Sequence, residues 1–157
     1  MGDKPSSGSQ AIEALLRDLE EGKQRLLDVV AQVTEAEFAW QPPQGDSIKR
    51  TLEKAADDVN FFYGWLVTRA RGLRPIPCLH PADFLSIREA SLTLQAVHRR
   101  FANLLHDLRP EELERTVSDE GQEPLTLRAV LQQAAAHYRQ RAAAVEGLRQ
   151  AFQEEQS

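Results

Sequence analysis

Residues 126–152 have the sequence TLRAVLQQAAAHYRQRAAAVEGLRQAF, and this stretch decides the fold because its apolar side chains recur at steps of three and four residues. Side chains at this spacing share one face of an α-helix. That face consists of Leu127, Leu131, Ala134, Tyr138, Arg141, Val145, Leu148 and Phe152. Thr126 stands directly before the pattern, where a hydroxyl group can cap the first turn. The stretch therefore predicts a long amphipathic helix that packs against other helices.

Three earlier segments show the same helical period. The first begins after Ser9, a candidate cap, and extends to about residue 33. The second covers residues 47–72, with Ser47 as its predicted cap. The third opens at Ser86 with Glu89 three residues later, which is a capping-box pattern, and we expect Pro110 to end it. Together with residues 126–152, these segments predict four helices.

The remaining residues form long connections. Residues 34–46 begin with a short capped turn at residues 34–37, and residues 73–85 contain three prolines. Residues 109–125 predict a single turn at Pro110 and a short hairpin near residues 117–125. The predicted fold is an all-α, antiparallel-type four-helix bundle with long inter-helix links and short helical turns. Long links also permit neighbouring helices to run parallel.

The chain suits a single domain. It has 157 residues, and we place the bundle at residues 9–153, between a flexible N-terminus (1–8) and a frayed tail (154–157). The formal net charge of -5 argues against a nucleic-acid binder. A membrane span needs about 18 consecutive apolar residues, and no segment of the sequence has an apolar run close to that length. The single cysteine, Cys78, cannot form an internal disulfide, so we expect a cytoplasmic protein.

His137 and Arg141 are the polar residues that stand out in the last helix, because they lie four residues apart on or beside its apolar face. A buried arginine must find a carboxylate or carbonyl groups, since an unpaired buried charge is very costly. One interpretation is a structural ion pair near the rim of the core. The other is a functional cleft.

Two stretches carry a family resemblance. Residues 40–57 (WQPPQGDSIKRTLEKAAD) resemble the segment that leads into the second helix of the DinB/YfiT-like superfamily, and residues 126–141 resemble its final helix. The resemblance implies a four-helix bundle and a divalent metal held by three histidines, with open positions for water or a thiol cofactor. It also implies thiol-dependent transferase, isomerase or hydrolase activity, and dimers.

Carried over residue by residue, the resemblance implies metal-ligand positions at Lys54, His137 and Arg141. Only His137 is a histidine. Lysine ammonium and arginine guanidinium groups have no lone pair to offer and repel a cation, whereas catalytic zinc needs about three protein ligands. We therefore expect no metal and no cofactor, with His137 as the residual metal candidate.

Two interpretations of these cations stay open. Lys54, His137 and Arg141 could form a pocket that attracts a small anionic ligand, with Asp58 and His98 as further candidate lining residues. Alternatively, Lys54 or Arg141 forms an internal ion pair with Asp57, Asp58 or a glutamate of another helix.

Three functional hypotheses follow from these interpretations. The first is a non-metal small-ligand-binding or accessory member of the family. The second is a thiol S-transferase or hydrolase that depends on zinc, nickel or manganese, in which His137 acts with His98 or another ligand. The third is a structural interaction module, which a cleft blocked by Trp40, Trp65 or Tyr138 would favour.

Two further features complete the prediction. Cys78 and His80 are spaced like a minimal metal pair, but two ligands alone are poor evidence for a metal site. Phe61 and Trp65 lie one turn apart on the second helix, opposite its main apolar face, so this helix is apolar on two sides. Either the proline-rich links or a second copy of the chain should cover them, and we predict a symmetric homodimer through this helix.

Overall fold

The computed structural model describes residues 7–76 and 79–157, which form a bundle of four long helical segments. The first is α1 (Ser7–Val30), followed by the short α2 (Glu35–Ala39). The second consists of α3 (Ile48–Asp58), a π turn (Val59–Tyr63) and α4 (Gly64–Arg71), which continue one another. The third and fourth are α5 (Ile87–Asn103) and α6 (Leu127–Gln156). The predicted all-α bundle is confirmed.

Short elements occupy the last link. A 3-10 turn (Pro110–Glu114) is followed by β1 (Thr116–Val117), which pairs antiparallel with β2 (Leu125–Thr126). The register places Val117 opposite Leu125, so the predicted turn and hairpin are both present. This hairpin leads directly into α6.

Side-chain caps begin the helices where the sequence predicts them. The hydroxyl of Ser47 accepts from the backbone N–H of Arg50 at 3.0 Å, and Ser86 and Thr126 cap α5 and α6 in the same way. Thr34 and Glu37 form a reciprocal capping box at α2. Each of these caps satisfies a backbone donor that the helix itself leaves unpaired.

The predicted cap of α1 and the predicted end of α5 are wrong. α1 begins at Ser7, so Ser9 lies inside its first turn; residues 1–6 lie outside the described residues. α6 continues to Gln156. α5 ends at Asn103, well before Pro110, because the chain turns through Asp107, whose φ of 56° lies in the left-handed region.

α1 and α6 are neighbours that run parallel. Asp18 pairs with Arg139 at 2.7 Å, and Arg25 pairs with Glu146 further along both helices. Their backbones approach closely at Gly22, where an added Cβ would lie 2.8 Å from the carbonyl oxygen of Ala135. Glycine is required there because any side chain would push the two helices apart.

α3 and α5 form the second parallel pair. Glu53 accepts from the backbone N–H of Phe84, just before α5, and Leu104, just after α5, approaches Gly64 at the start of α4. The two pairs run in opposite directions, since α2, which precedes α3, is ion-paired to the C-terminal part of α6. α1 and α3 each contact α5 and α6. The helix order is therefore up-down-down-up, which the long links permit.

One continuous apolar core fills the space between the four segments. Its largest fully buried side chains include Tyr138, Phe84, Phe101, Leu26 and Ile48. Within the described part of the chain, none of the helices is long and apolar enough to span a bilayer.

Candidate functional site

Asp58 lies at the centre of a polar cluster between the second and fourth helical segments. It is the last residue of α3, directly before the π turn. Its Oδ2 atom accepts a hydrogen bond from Nη2 of Arg141 at 2.9 Å. The Arg141 side chain is 25% exposed and that of Asp58 is 43% exposed, so the pair lies at the rim of the core rather than inside it.

His137 is the buried member of this Asp58 cluster. Its Nε2–H donates to the carbonyl oxygen of Ala55 at 3.4 Å, which leaves Nδ1 facing Asp58 Oδ2 at 3.8 Å. The ring of Tyr63, from the π turn, packs against the imidazole with a centroid distance of 5.2 Å. Burial lowers the pKa of His137, and the Asp58 carboxylate partly opposes that shift. The neutral imidazole is therefore the form that this surrounding favours.

Lys54 has its own partner. Its ammonium group donates to Oδ2 of Asp46 at 2.6 Å, and both side chains are about two-fifths exposed. Asp57 instead accepts from the backbone N–H of Ala82 at 2.8 Å. The ion-pair interpretation of the sequence is therefore realised in Arg141–Asp58, whereas Lys54 pairs with Asp46 and with neither Asp57 nor Asp58.

His98 belongs to a second polar cluster. Its Nδ1 lies 2.9 Å from the hydroxyl of Tyr138, and its Nε2 lies 3.1 Å from the carboxylate of Glu20. A neutral ring satisfies both contacts when Nε2–H donates to Glu20 and Nδ1 accepts from Tyr138. The Tyr138 ring also lies near His137, with centroids 6.1 Å apart. Tyr138 therefore separates the two histidines, and His98 is not part of the Asp58 cluster.

Sequence reasoning did not find Tyr63, Asp46 or Glu20. Asp46 lies in the link before α3, eight residues before Lys54. Tyr63 comes within reach of His137 because of the π turn, which has no simple sequence signal. Glu20 reaches His98 across helices that are far apart in sequence. Each of these partners depends on tertiary geometry.

The chain belongs to the DinB superfamily, whose family model matches residues 18–145. This match covers most of the bundle, from α1 into α6. A search of curated proteins found no match for the chain. The family of the chain is therefore established.

The residues at the implied metal position do not fit a divalent ion. Among residues 7–76 and 79–157, no group of three His, Cys, Asp or Glu side chains is placed to hold one. His137 and Asp58 are the nearest potential donors, and Asp58 is already bound by the guanidinium of Arg141. A cation there would face a fixed positive charge. Of the Cys78–His80 pair, Cys78 lies outside the described residues.

Phe61 and Trp65, predicted to be covered, are 43% and 39% exposed. Residues of the proline-rich link lie beside them, since Pro75, Ile76 and Leu79 line the same cavity. The link therefore covers this face in part.

Proposed function

We propose that this chain is a non-metal member of the DinB superfamily that acts as a small-ligand-binding or accessory protein. The observation that carries the proposal is the ion pair between Arg141 and Asp58, next to the buried His137. Arg141 and His137 occupy two of the three positions at which the family resemblance implies metal ligands, and Asp58 accepts a hydrogen bond from Arg141. The guanidinium of Arg141 is a permanent positive charge without a lone pair, so it disfavours a divalent cation beside it.

The proposal does not place the ligand at the Asp58 cluster. Arg141 is paired with Asp58 and Lys54 with Asp46. An anion bound between these cations would have to displace a carboxylate from each of them, and intramolecular carboxylates compete at high effective concentration. The cluster therefore has a structural role in this proposal.

Metal analysis of tag-free protein tests the proposal. We expect no stoichiometric zinc, nickel or manganese in the purified chain. The double variant Lys54→His/Arg141→His restores the implied three-histidine set with His137, and we expect it to gain zinc binding. The double variant Lys54→Gln/Arg141→Gln removes the same cations without adding imidazole groups, so it should bind no more zinc than the natural chain.

A near-stoichiometric metal in the natural chain, lost in His137→Ala, would overturn the proposal. That result would favour the alternative function, a divalent-metal-dependent thiol S-transferase or hydrolase. If the three-histidine variant stays folded and gains no zinc, the assignment of Lys54 and Arg141 to the implied ligand positions is wrong.

The proposal also includes a homodimer and a cytoplasmic location. The homodimer is supported by the exposed Phe61 and Trp65, whose large apolar surfaces are more typical of contacts than of solvent. The cytoplasmic location is supported by the single cysteine, Cys78, which has no second cysteine in the chain with which to form a disulfide.

A further inference from the structure

A cavity of about 280 Å³ lies between the π turn, α4, α5 and the proline-rich link. Its walls are mostly apolar and include Phe61, Trp65, Ile76, Phe101 and Leu104. A cavity of about 150 Å³ is large enough to bind benzene. This cavity therefore has room for one aromatic ring with a short side chain.

Arg100 supplies the charge in this cavity. The described residues that line it include no carboxylate, and the structure shows no ion pair for Arg100 within residues 7–76 and 79–157. Its Nη2 makes one long hydrogen bond, 3.4 Å, to the side-chain oxygen of Asn60. Its Nε is buried without a hydrogen-bond partner in the described part of the chain. A buried donor is costly while it stays unsatisfied, so this guanidinium lacks part of the hydrogen bonding that it requires.

The π turn shapes the cavity wall next to Arg100. The N–H of Gly64 bonds to the carbonyl of Val59, five residues earlier, which widens the helix and sets Asn60 and Phe61 along the wall. An added Cβ at Gly64 would lie 2.8 Å from that carbonyl oxygen, so glycine permits this geometry. Single π turns inside α-helices frequently occur at functional sites.

A second arginine adds positive charge at the mouth. The guanidinium carbon of Arg69 lies 5.5 Å from the centre of the Trp65 ring, and Trp65 itself lines the cavity. Among the described residues, the hydrogen-bond acceptor of Arg69 is the backbone carbonyl of Ser118. Two guanidinium groups that have no carboxylate partner within the described part of the chain would attract an anion to this opening.

From this geometry we propose that the cavity binds a small apolar carboxylic acid of about the size of an aryl-alkanoate, whose carboxylate is held by the guanidinium group of Arg100. The carboxylate accepts two N–H bonds from the guanidinium in the bidentate manner, and the apolar body lies against Trp65, Phe101 and Leu104. This inference rests on the proposed function, since it supplies the ligand class and places the site away from the Asp58 cluster.

Trp65 provides a direct measurement. The chain contains two tryptophans, and Trp40 packs on Phe152 outside this cavity. In a Trp40→Phe background, the fluorescence emission of Trp65 is measured during titration with phenylacetate and with uncharged phenylacetamide. The acids hexanoate and 3-phenylpropionate are titrated in the same way, to compare ligands with different apolar bodies. We expect saturable changes with at least one acid below about 10 mM and weaker binding of the amide.

Two variants separate the role of Arg100 from general charge. Arg100→Met should weaken binding of the acid by about tenfold or more, because it removes a charge-assisted hydrogen-bonding group. Arg99→Met removes a neighbouring, exposed arginine of the same helix and should leave the affinity unchanged. Arg100→Lys keeps the charge without the fork and should give an intermediate loss, which keeps the test valid if the methionine variant does not fold.

Three results would overturn the inference. They are the absence of saturable binding by any of the acids, equal binding of the acid and the amide, and an unchanged affinity in folded Arg100→Met. If the first of these results is accompanied by a change of Trp65 emission with protein concentration alone, the cavity mouth is assigned to a second copy of the chain. If no acid binds in the cavity but the purified protein is free of metal, the proposed non-metal function stands and only the ligand inference is wrong. If the purified protein contains stoichiometric metal, the proposed function is wrong whatever the acids do.

Discussion

At the scale of single residues, Asp58 determines the state of the polar cluster. Its carboxylate accepts from Arg141 and faces Nδ1 of His137 at 3.8 Å. Burial holds the pKa of His137 below its ordinary value, the nearby Asp58 raises it, and Arg141 lowers it. Because the folded state binds the proton of His137 less well than the unfolded state does, this group weakens the fold as pH falls below about 6.5.

Arg141→Met should therefore change the titration of His137. The substitution removes a positive charge and leaves Asp58 free to attract the imidazolium, so the pKa of His137 should rise. We also expect a loss of about 1 kcal/mol in the free energy of unfolding at neutral pH, since the ion pair is partly exposed. The loss of stability between neutral pH and pH about 5 should be smaller than in the natural chain.

NMR titration of the His137 ring and urea unfolding at both pH values measure these effects. Arg139→Met is the matched control, because Arg139 lies on the same helix but pairs with Asp18 of α1. An identical pKa of His137 in the natural chain and in Arg141→Met would show that Arg141 does not set the protonation of this cluster.

At the scale of the elements, Arg71 ties the end of α4 to the segment after α5. Its guanidinium donates to Glu112 at 2.9 and 3.2 Å and to the carbonyl oxygens of Leu104, His106 and Asp107. These carbonyls belong to the turns that end α5. In a longer α5, backbone N–H groups would bond to these carbonyl oxygens. The guanidinium of Arg71 bonds to them instead, so α5 can end before Pro110.

Arg71→Met should destabilise the fold by about 1.5–3 kcal/mol, because it removes charge-assisted hydrogen bonds from the buried Glu112 carboxylate, which keeps its contacts with Arg109 and Arg115. Arg128→Met, which removes the exposed partner of Glu114, should cost about 0.5 kcal/mol or less. Chemical denaturation of both variants measures the difference. Equal small losses would mean that the Arg71–Glu112 pair contributes little to stability.

Acid sensitivity gives a second measurement on the same pair. The hydrogen bond from Arg71 is the largest cause that lowers the pKa of Glu112 from 4.5 to about 2. The ionised carboxylate therefore stabilises the fold above pH about 4.5, and this contribution is lost as pH falls toward 2. In Arg71→Met, the loss of stability caused by protonation of Glu112 as pH falls from about 4.5 toward 2 should be much smaller than in the natural chain.

At the scale of the whole molecule, patterns of neighbouring residues predicted the architecture. They did not predict the contacts between segments that are distant in sequence. Helical periodicity and the caps at Ser47, Ser86 and Thr126 are properties of neighbouring residues, so the number of helices and most of their starts could be predicted. The direction of the helices, the π turn and the pairing of Lys54 with Asp46 depend on how distant segments meet. The candidate site was therefore predicted as a set of positions, but not as a set of contacts.

The homodimer remains a prediction about the whole molecule. If the second helical segment forms the interface, sedimentation should show an equilibrium between 17.7 kDa monomers and dimers. Phe61→Glu should shift it to monomer, because a charge would be buried at the contact. Leu92→Glu changes an exposed leucine on α5 (56% exposed) and should have no effect. A monomer for the natural chain at every concentration would contradict the prediction.

The parallel course of α1 and α6 has a practical consequence for anyone who attaches other domains to this protein. Gly8 near the start of α1 lies against Pro110 of the 3-10 turn, and Leu127 at the start of α6 bonds to Arg115 directly after that turn, so both helices begin at one end of the bundle. α6 continues for 30 residues to the other end. A helix of this length extends over about 45 Å. Reporter groups fused before α1 and after α6 would thus point away from each other, and a circularly permuted variant would need a linker that spans the full height of the bundle.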